Sequence, residues 1–560
     1  VLTHKVFEKG KPESVIGTKT TEKTTVQPNG KADINAEFTV NNPKLWDTEH
    51  PNLYTVRTEV KVGNKVVDTY DTEYGFRYTK FDKDTGFYLN GKAVKLKGVC
   101  MHHDQGALGA VANRRAIERQ VEILQEMGCN SIRVTHTPAA QHLIDVCNEK
   151  GILVVEEIFD GWHHAKNGNT EDFAKYFNKQ VGEKNKLVGA TSSMTWAEFS
   201  LKSTLKRDQN APSVIMWSLG NEIQEGAGGN DYDEKVPELI KWAKDVDTTR
   251  ELTIGSNQVK NEPTNTGDTE HSKVADKITE AGGVSGTNYS NGASYDSLRQ
   301  KHPNWKIYGS ETASSVNSRG VYYTKGQDNN TQQLSSYDTS KVNWGAFAND
   351  AWYDVVTRDF VAGEYVWTGF DYIGEPTPWN GTNAGAKGPK WPSPKSSYFG
   401  IVDTAGMPKD SYYLYQSQWN DKVNTLHVLP TWNEDGIILD NQKKAEVVVY
   451  SDAPKVELWL TPKGSTEAKQ VGETKTIAKK TTKAGHSYYT VGDTNKLYRT
   501  WKVPYEAGTL EARAFDEKGN RITDTKGRAS VTTAGKEAKL QVKADHSEIK
   551  ANGTDLSYLQ

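Results

Sequence analysis

Between residues 94 and 371 the chain repeats one pattern eight times: a short apolar run that stops at polar residues, followed in most intervals by a helix-capable segment. The runs are "AVKLKGVCMHH", "SIRVTH", "ILVVEEIFD", "SVIMWSLGNE", "LTIGSN", "GVSGTNY", "WKIYGSE" and "GEYVWTGFD". Runs this short and this apolar read as strands buried on both faces. Between them, "NRRAIERQVEILQEMG" spaces Ile117, Val121, Ile123, Leu124 and Met127 at helical intervals and closes at Gly128. "AAQHLIDVCNEKG" and "WAEFSLKSTLKRDQN" are helix-capable as well. Eight such units predict a (β/α)8 TIM barrel over residues 79–424. In that architecture the functional groups sit where strands end, at the C-terminal rim.

The flanks have a different texture. Residues 1–78 alternate in the β manner, as in "ADINAEFTVNNP" and "NLYTVRTEVKVGNKVVDTY", which predicts a small β-sandwich. The rhythm returns over 425–535 in "AEVVVYSDAPKVELWL" and "YRTWKVPYEAGTLEARAFDEKGNRI", a second sandwich. Residues 536–560 start a further β-like unit and stop too soon to fold alone. The chain begins without Met, so it reads as part of a longer product.

Composition narrows the function. A net charge of -3 on 560 residues, with 25% charged residues, suggests neither a nucleic-acid partner nor a charged membrane surface. No apolar run is long enough to span a membrane. Cys100, Cys129 and Cys147 lie in apolar surroundings without C-x-x-C spacing, so neither a disulfide framework nor a zinc site is expected. The 15 Trp and 26 Tyr fit carbohydrate handling, where rings stack on sugar C–H faces, and equally fit aromatic packing in β-domains.

The strand ends carry the chemistry. They present His102, His103 and Asp104; Arg133 and His136; Glu156, Glu157 and Asp160; Asn221 and Glu222; Asn257; Asn288 and Tyr289; Glu311; and Trp367 and Asp371. Two acids, Glu222 after strand four and Glu311 after strand seven, face one barrel mouth. Glycoside hydrolysis requires that arrangement: one carboxyl protonates the leaving oxygen while the other attacks, at about 5 to 5.5 Å for retention. Each acid also has a structural reading, Glu222 as a helix cap and Glu311 as a partner of Arg133, but both together on strands four and seven favour catalysis. His102, His103, Asp104, Glu156, Glu157, Asp160 and His163 form a pool of metal ligands, yet none shows helical i,i+4 spacing, and adjacent histidines on a strand point apart.

With these residues placed, the ordered series "NPKLWDTEHPNLYTV", "GFR", "FYLNGK", "LKGVCMHHD", "IRVTHTP", "WSLGNE", "YGSE", "VWTGFDYIGEPTPW" and "SSYFGIVDTAGMPKDSYYLYQSQW" resembles glycoside hydrolase family 2, most closely the large multidomain β-galactosidases of Gram-positive cell surfaces. The resemblance covers nearly the whole chain. It implies a barrel flanked by immunoglobulin-like β-sandwich domains and a retaining enzyme acting on terminal β-D-galactosides such as lactose or LacNAc-like glycans, with transfer to another sugar as a side reaction. Glu222 would be the acid/base and Glu311 the nucleophile. Glu311 would be ionised, held down by hydrogen bonds from Arg133 and Tyr289. Asn221 would bind the 2-hydroxyl, and His136, Tyr289 and Trp367 the sugar ring. Asp160, Trp162, Asn257, Trp379, His103 and Lys395 complete the substrate-binding set.

The chain departs from the family in places. Where metal-dependent relatives use a Glu and a His after strand three to hold magnesium, Gly161 stands at the Glu position beside His163. No cofactor is therefore expected, a structural or activating divalent cation being the alternative. Asn257 replaces an Asp of close relatives. The jelly-roll domain that opens family members and lends a residue to the sugar site is missing from the sequence, so the expected partners are a β-galactoside glycan and that upstream part. A secreted or wall-attached place in a Gram-positive bacterium follows from resemblance alone, a cytoplasmic one being open. The rival readings are a β-glucuronidase and a non-catalytic sugar-binding or adhesion fragment. Family glucuronidases carry Asn-x-Lys late in the barrel; here Ser393 precedes Lys395.

Overall fold

The computed structural model describes residues 1–223, 231–260, 273–380 and 394–560. All eight apolar runs form strands: β1 (Leu96–Met101), β2 (Ser131–Val134), β3 (Leu153–Glu157), β4 (Val214–Asn221), β5 (Glu251–Ser256), β6 (Val284–Asn288), β7 (Ile307–Ala313) and β8 (Val361–Trp367). They close into one parallel barrel in the order β3-β4-β5-β6-β7-β8-β1-β2. Every residue of β2, β3 and β4 is buried, which is what strands covered on both faces require.

The helix Arg114–Met127 lays Ile117, Val121, Leu124 and Met127 against the strands. It starts at Asn113, whose side chain accepts a hydrogen bond from the Ala116 N–H, and ends at Gly128. Inside the barrel, Leu96, Cys100, Leu153, Val155, Tyr308 and Tyr365 form a core that continues into Phe81, Phe87 and Leu89. Those three belong to a small sheet (Thr79–Asp82, Gly86–Leu89, Lys92–Ala93) just ahead of β1, so packing fills the N-terminal end of the barrel. All three cysteines are buried and free.

On the N-terminal flank, Leu2–Glu8, Val15–Thr20, Tyr54–Val62 and Lys65–Tyr74 make a four-stranded antiparallel sheet. The alternating stretch "ADINAEFTVNNP" forms no strand. Its Phe38 and Val40, both half-buried, lie beside Gly17 of the sheet, so the alternation is met by side-chain contact without a backbone ladder. Beyond the barrel, two sheets lie in sequence: Leu426–Leu429, Lys444–Ser451 and Arg499–Pro504, and then Lys455–Pro462 with Lys469–Thr476, Gly508–Phe515, Arg521–Ile522 and Ser530–Thr532. Residues 536–560 reach the Arg114–Met127 helix, where Arg115 pairs with Asp545 at 3.0 Å and Arg119 sits over the Tyr558 ring.

Candidate active site

Strand β4 is buried from Val214 to Asn221, and there the backbone turns sharply. Glu222 adopts φ 45°, a left-handed conformation that side-chain-bearing residues seldom use. Two hydrogen bonds impose it: the Glu222 N–H donates to the Gly255 carbonyl of β5 at 2.7 Å, and the Asn221 N–H to the Asp160 carbonyl at 2.8 Å. Tyr289, Ser314 and Glu375 are also left-handed, and all line the same cavity of about 530 Å³ as Glu222 and Glu311. Such conformations cost about 1–3 kcal/mol each and gather where function holds them.

Arg133, wholly buried on β2, organises the mouth. Its Nη1 donates to Glu311 Oε1 at 3.0 Å and to the Ser310 carbonyl at 3.1 Å. Its Nη2 donates to Glu157 Oε2 at 2.7 Å and Asn221 Oδ1 at 2.9 Å. The guanidinium fits because β5 carries glycine beside it: a side chain at Gly255 would collide with Arg133 Nη2 and Asn221 Oδ1. Asn288 Nδ2 donates to Asn221 Oδ1 at 3.1 Å and to Glu222 Oε1 at 3.0 Å, and Ser310 Oγ donates to Asn288 Oδ1 at 2.6 Å. Glu222 and Glu311 are thus linked by a chain through Asn288, Asn221 and Arg133.

Glu311 receives both foreseen donors. Besides Arg133, the Tyr289 hydroxyl donates to Oε2 at 2.9 Å and itself accepts from Ser314 Oγ at 2.8 Å. These bonds do not hold the carboxyl low. Burial outweighs them and, with the Glu222 charge adding to it, pushes Glu311 up to about 8.

Asn221 Oδ1 is saturated by Arg133 and Asn288, which leaves Nδ2 directed at His136 Nε2 (3.4 Å) and Asp160 Oδ1 (3.5 Å). His136 Nδ1 donates to Glu157 Oε1 at 2.5 Å. Burial and Arg133 push His136 well below the ordinary histidine value, so the ring is neutral and Nε2 is a lone-pair acceptor. Trp367 stacks parallel to it, centroids 5.4 Å apart. His102 stands edge-on to Trp367 and donates through Nδ1 to the Thr135 carbonyl at 2.9 Å.

The structure brings Glu222, Glu311, His136, Asn221, Tyr289, Trp367 and Asp160 together on one cavity, with Arg133 behind them. It leaves five of the expected residues, Trp162, Asn257, Trp379, His103 and Lys395, outside that lining. Trp379 has no exposed surface; its indole donates to Asn329 at 3.1 Å and packs on Tyr398. Asn257 Oδ1 accepts from its neighbour Gln258. His103, beyond the end of β1, turns to the Ala110 carbonyl at 3.0 Å. Lys395 is exposed, and Ser393 lies outside the described residues. Trp162 is buried, donating to the Leu219 carbonyl at 2.8 Å. Glu156 faces outward to Arg207 at 3.1 Å while Glu157 faces the mouth. Among the described residues no three His, Cys, Asp or Glu side chains are grouped to hold a metal ion.

Sequence reasoning left Lys166, Glu375 and Trp344 out of the cavity. Lys166 Nζ donates to Asp160 Oδ1 and to the Asn221 carbonyl, both at 2.5 Å, fixing the peptide that carries Glu222. Glu375 accepts from the Tyr372 hydroxyl. Asn288 and Glu157 stood at strand ends in the sequence and were legible there.

Two carboxyls from separate strands sharing a walled cavity, one of them gripped by a cation and a phenol, are the equipment of a barrel glycosidase. Comparison with known proteins agrees. The glycosyl hydrolases family 2 TIM barrel domain matches residues 82–380, a second glycosyl hydrolases family 2 domain matches residues 3–77, and a domain of unknown function matches residues 442–523. The chain belongs to glycoside hydrolase family 2. It is 34% identical to a β-galactosidase of Bacteroides ovatus, over 93% of this chain and 58% of that one. It is 30% identical to a putative β-glucuronidase of Formosa agariphila, over 94% of this chain and 46% of that one. The crystal structure of a family 2 member from Bacteroides cellulosilyticus superimposes with a TM-score of 0.73 at 28% identity, covering 100% of this chain and 63% of that one. The chain thus spans about half the length of these curated relatives.

Proposed function

We propose that the protein is a retaining, exo-acting β-galactosidase, with Glu311 as nucleophile and Glu222 as acid/base. The charge of the cavity carries the choice of sugar. Its described lining holds five carboxyls, from Asp160, Asp172, Glu222, Glu311 and Glu375, against one amine, and that amine, Lys166, is already bound to Asp160. A uronic acid would bring its carboxylate among acids, and the described lining holds no cation free of an acid partner, although Lys260 stands over the Tyr289 ring beside it. A neutral pyranose meets hydrogen-bonding groups and the aromatic side chains of Trp344, Trp367 and Phe399.

In the form that reacts, Glu311 is the carboxylate and Glu222 carries the proton; in the first step Glu311 attacks the anomeric carbon as the bond to the aglycone oxygen breaks, and Glu222 gives that oxygen its proton. In the second, Glu222 takes a proton from water, whose oxygen attacks the same carbon and releases Glu311. A sugar hydroxyl in place of water gives transfer. Asn221 Nδ2 donates to the 2-hydroxyl oxygen, and His136 Nε2 accepts from a ring hydroxyl over the Trp367 face.

The β-glucuronidase reading is kept because several of the curated relatives are named β-glucuronidase or putative β-glucuronidase. A panel of chromogenic β-galactoside, β-glucuronide and β-mannoside tests the choice, with Glu311→Gln as the inactive control. Galactoside turnover lost in Glu311→Gln is expected; faster turnover of the glucuronide would overturn it.

A further inference from the structure

Lys260 follows β5 and places its amine over the face of the Tyr289 ring, 5.4 Å from the ring centroid. The residue is fixed at its backbone: its carbonyl accepts from Ser294 Oγ at 3.1 Å, and Val259 beside it is fully buried. Among the described residues the amine makes no ion pair and no hydrogen bond, so the ring is its partner. Burial pushes it below the ordinary lysine range, and the charges of Glu222 and Glu311 push it back up. A half-buried ammonium without an ion partner is costly, and here it is spent on the face of one aromatic ring.

That ring is the one bonded to Glu311. Tyr289 is held at both ends: its N–H donates to the Glu311 carbonyl at 2.8 Å, and its hydroxyl accepts from Ser314 Oγ at 2.8 Å while donating to Glu311 Oε2 at 2.9 Å. A cation on the face of a phenol draws π density away from the oxygen, which makes the O–H a stronger donor. A stronger bond to the ionised carboxyl favours the ionised form. The other titratable groups facing Glu311 come from other elements: Cys100 of β1, Arg133 of β2 and His136 just after it, Glu222 at the end of β4, and Tyr372 beyond β8. Arg133 is shared with Glu157 of β3. All of these stay in place when Lys260 alone is exchanged.

We propose that Lys260 is a positioning residue for the nucleophile: its amine, resting on the Tyr289 ring, strengthens the phenol's hydrogen bond to Glu311 and keeps more of that carboxyl in the attacking form. Lys260 bonds neither carboxyl, so it acts through Tyr289. The inference rests on Glu311 as the nucleophile and holds whichever sugar the pocket takes.

The test is the pH dependence of kcat/KM in the full chain, on an activated aryl glycoside that the wild type turns over. Lys260→Met should move the acid limb up by about half a pH unit, about a threefold loss of kcat/KM on that limb. Lys260→Gln, neutral but polar, should move it as far, so failure of one variant to fold leaves the other to decide. Lys260→Arg, which keeps the cation, should return the limb to its wild-type place. In Tyr289→Phe, where the hydroxyl is gone, adding Lys260→Met should move the limb less than half as far. A limb that stays in place in the folded neutral variants, or an equal shift in the Tyr289→Phe background, overturns the role of Lys260 and leaves the nucleophile assigned. Turnover that survives in Glu311→Gln removes the nucleophile itself, and Lys260 falls with it.

Discussion

Replacing Tyr289 with Phe removes one hydroxyl and tests the electrostatics of the nucleophile directly. That hydroxyl donates to Glu311 Oε2 at 2.9 Å, inside a pocket where burial already raises the carboxyl to about 8. Hydrogen bonds to charged groups contribute about 1.5–3 kcal/mol. At 1.36 kcal/mol per pK unit, their loss raises Glu311 by about one to two units further. Attack needs the carboxylate, so activity falls as pH drops through this value, and raising it shrinks the reactive fraction at neutral pH. In Tyr289→Phe, kcat/KM for an activated aryl galactoside should be about ten- to hundredfold lower at pH 7 and should recover as pH rises. The measurement is the pH dependence of kcat/KM, which reports the free enzyme. The acid limb should lie well above the ordinary carboxylate range in the wild type and higher still in the variant. A limb that stays in place, or moves to lower pH, refutes the reasoning. Adding Ser314→Ala should shift it no further, since Ser314 acts only through the lost hydroxyl.

Glu222→Gln should slow cleavage of alkyl galactosides by about 10²–10⁴-fold while sparing glycosylation by activated aryl galactosides, whose leaving group needs no proton. Because the Glu222 charge pushes Glu311 up, the same variant should move the acid limb to lower pH; lactose hydrolysis at the parent rate would end the acid/base assignment. Gly255→Ala places a methyl against Arg133 and Asn221, so about 1–3 kcal/mol of stability and much of the activity should be lost together, read by thermal unfolding and by turnover. Glu364 is buried on β8, with Oε2 accepting from Thr312 at 2.6 Å and Oε1 unpartnered among the described residues. Burial raises it from 4.5 to about 8, so the fold favours the neutral acid: its stabilisation is whole below about 4.5 and is lost as pH rises through 8. Glu364→Gln should therefore gain in melting temperature over the parent progressively from pH 5 to pH 9, and a constant difference would contradict it.

The barrel was legible because each buried parallel strand is a local event, an apolar run bounded by polar residues. Its last residues face the mouth, so Asn221, Glu222, Tyr289, Glu311 and Trp367 could be read from sequence position alone. Trp379 and Trp344 show where this ends. Both follow barrel strands in irregular segments, but one is fully buried and the other half exposed, because one packs on Tyr398 and the other rides a turn pinned to β7. Those contacts join residues far apart in the chain, and no periodicity announces them. The same limit applies to charge: both donors to Glu311 could be named in advance, but not how far burial would outweigh them.

The contacts also divide the pocket into a part that is fixed and a part that is free to vary. Arg133 on β2 bonds Glu157 of β3, Asn221 of β4, and Ser310 and Glu311 of β7; Asn288 of β6 bonds Asn221, Glu222 and Ser310. Side chains thus tie five strands together around the two carboxyls of the candidate site. Any change there leaves a buried charge or amide unpaired, at about 3–5 kcal/mol for a broken ion pair. Trp344, Asn169 and Asp172 belong to loops outside this network. Substitutions at those three positions leave the bonds around the two carboxyls in place. Exchanges confined to Trp344, Asn169 and Asp172 should therefore leave the melting temperature nearly constant, whereas any exchange reaching Arg133 or Asn288 should lower it.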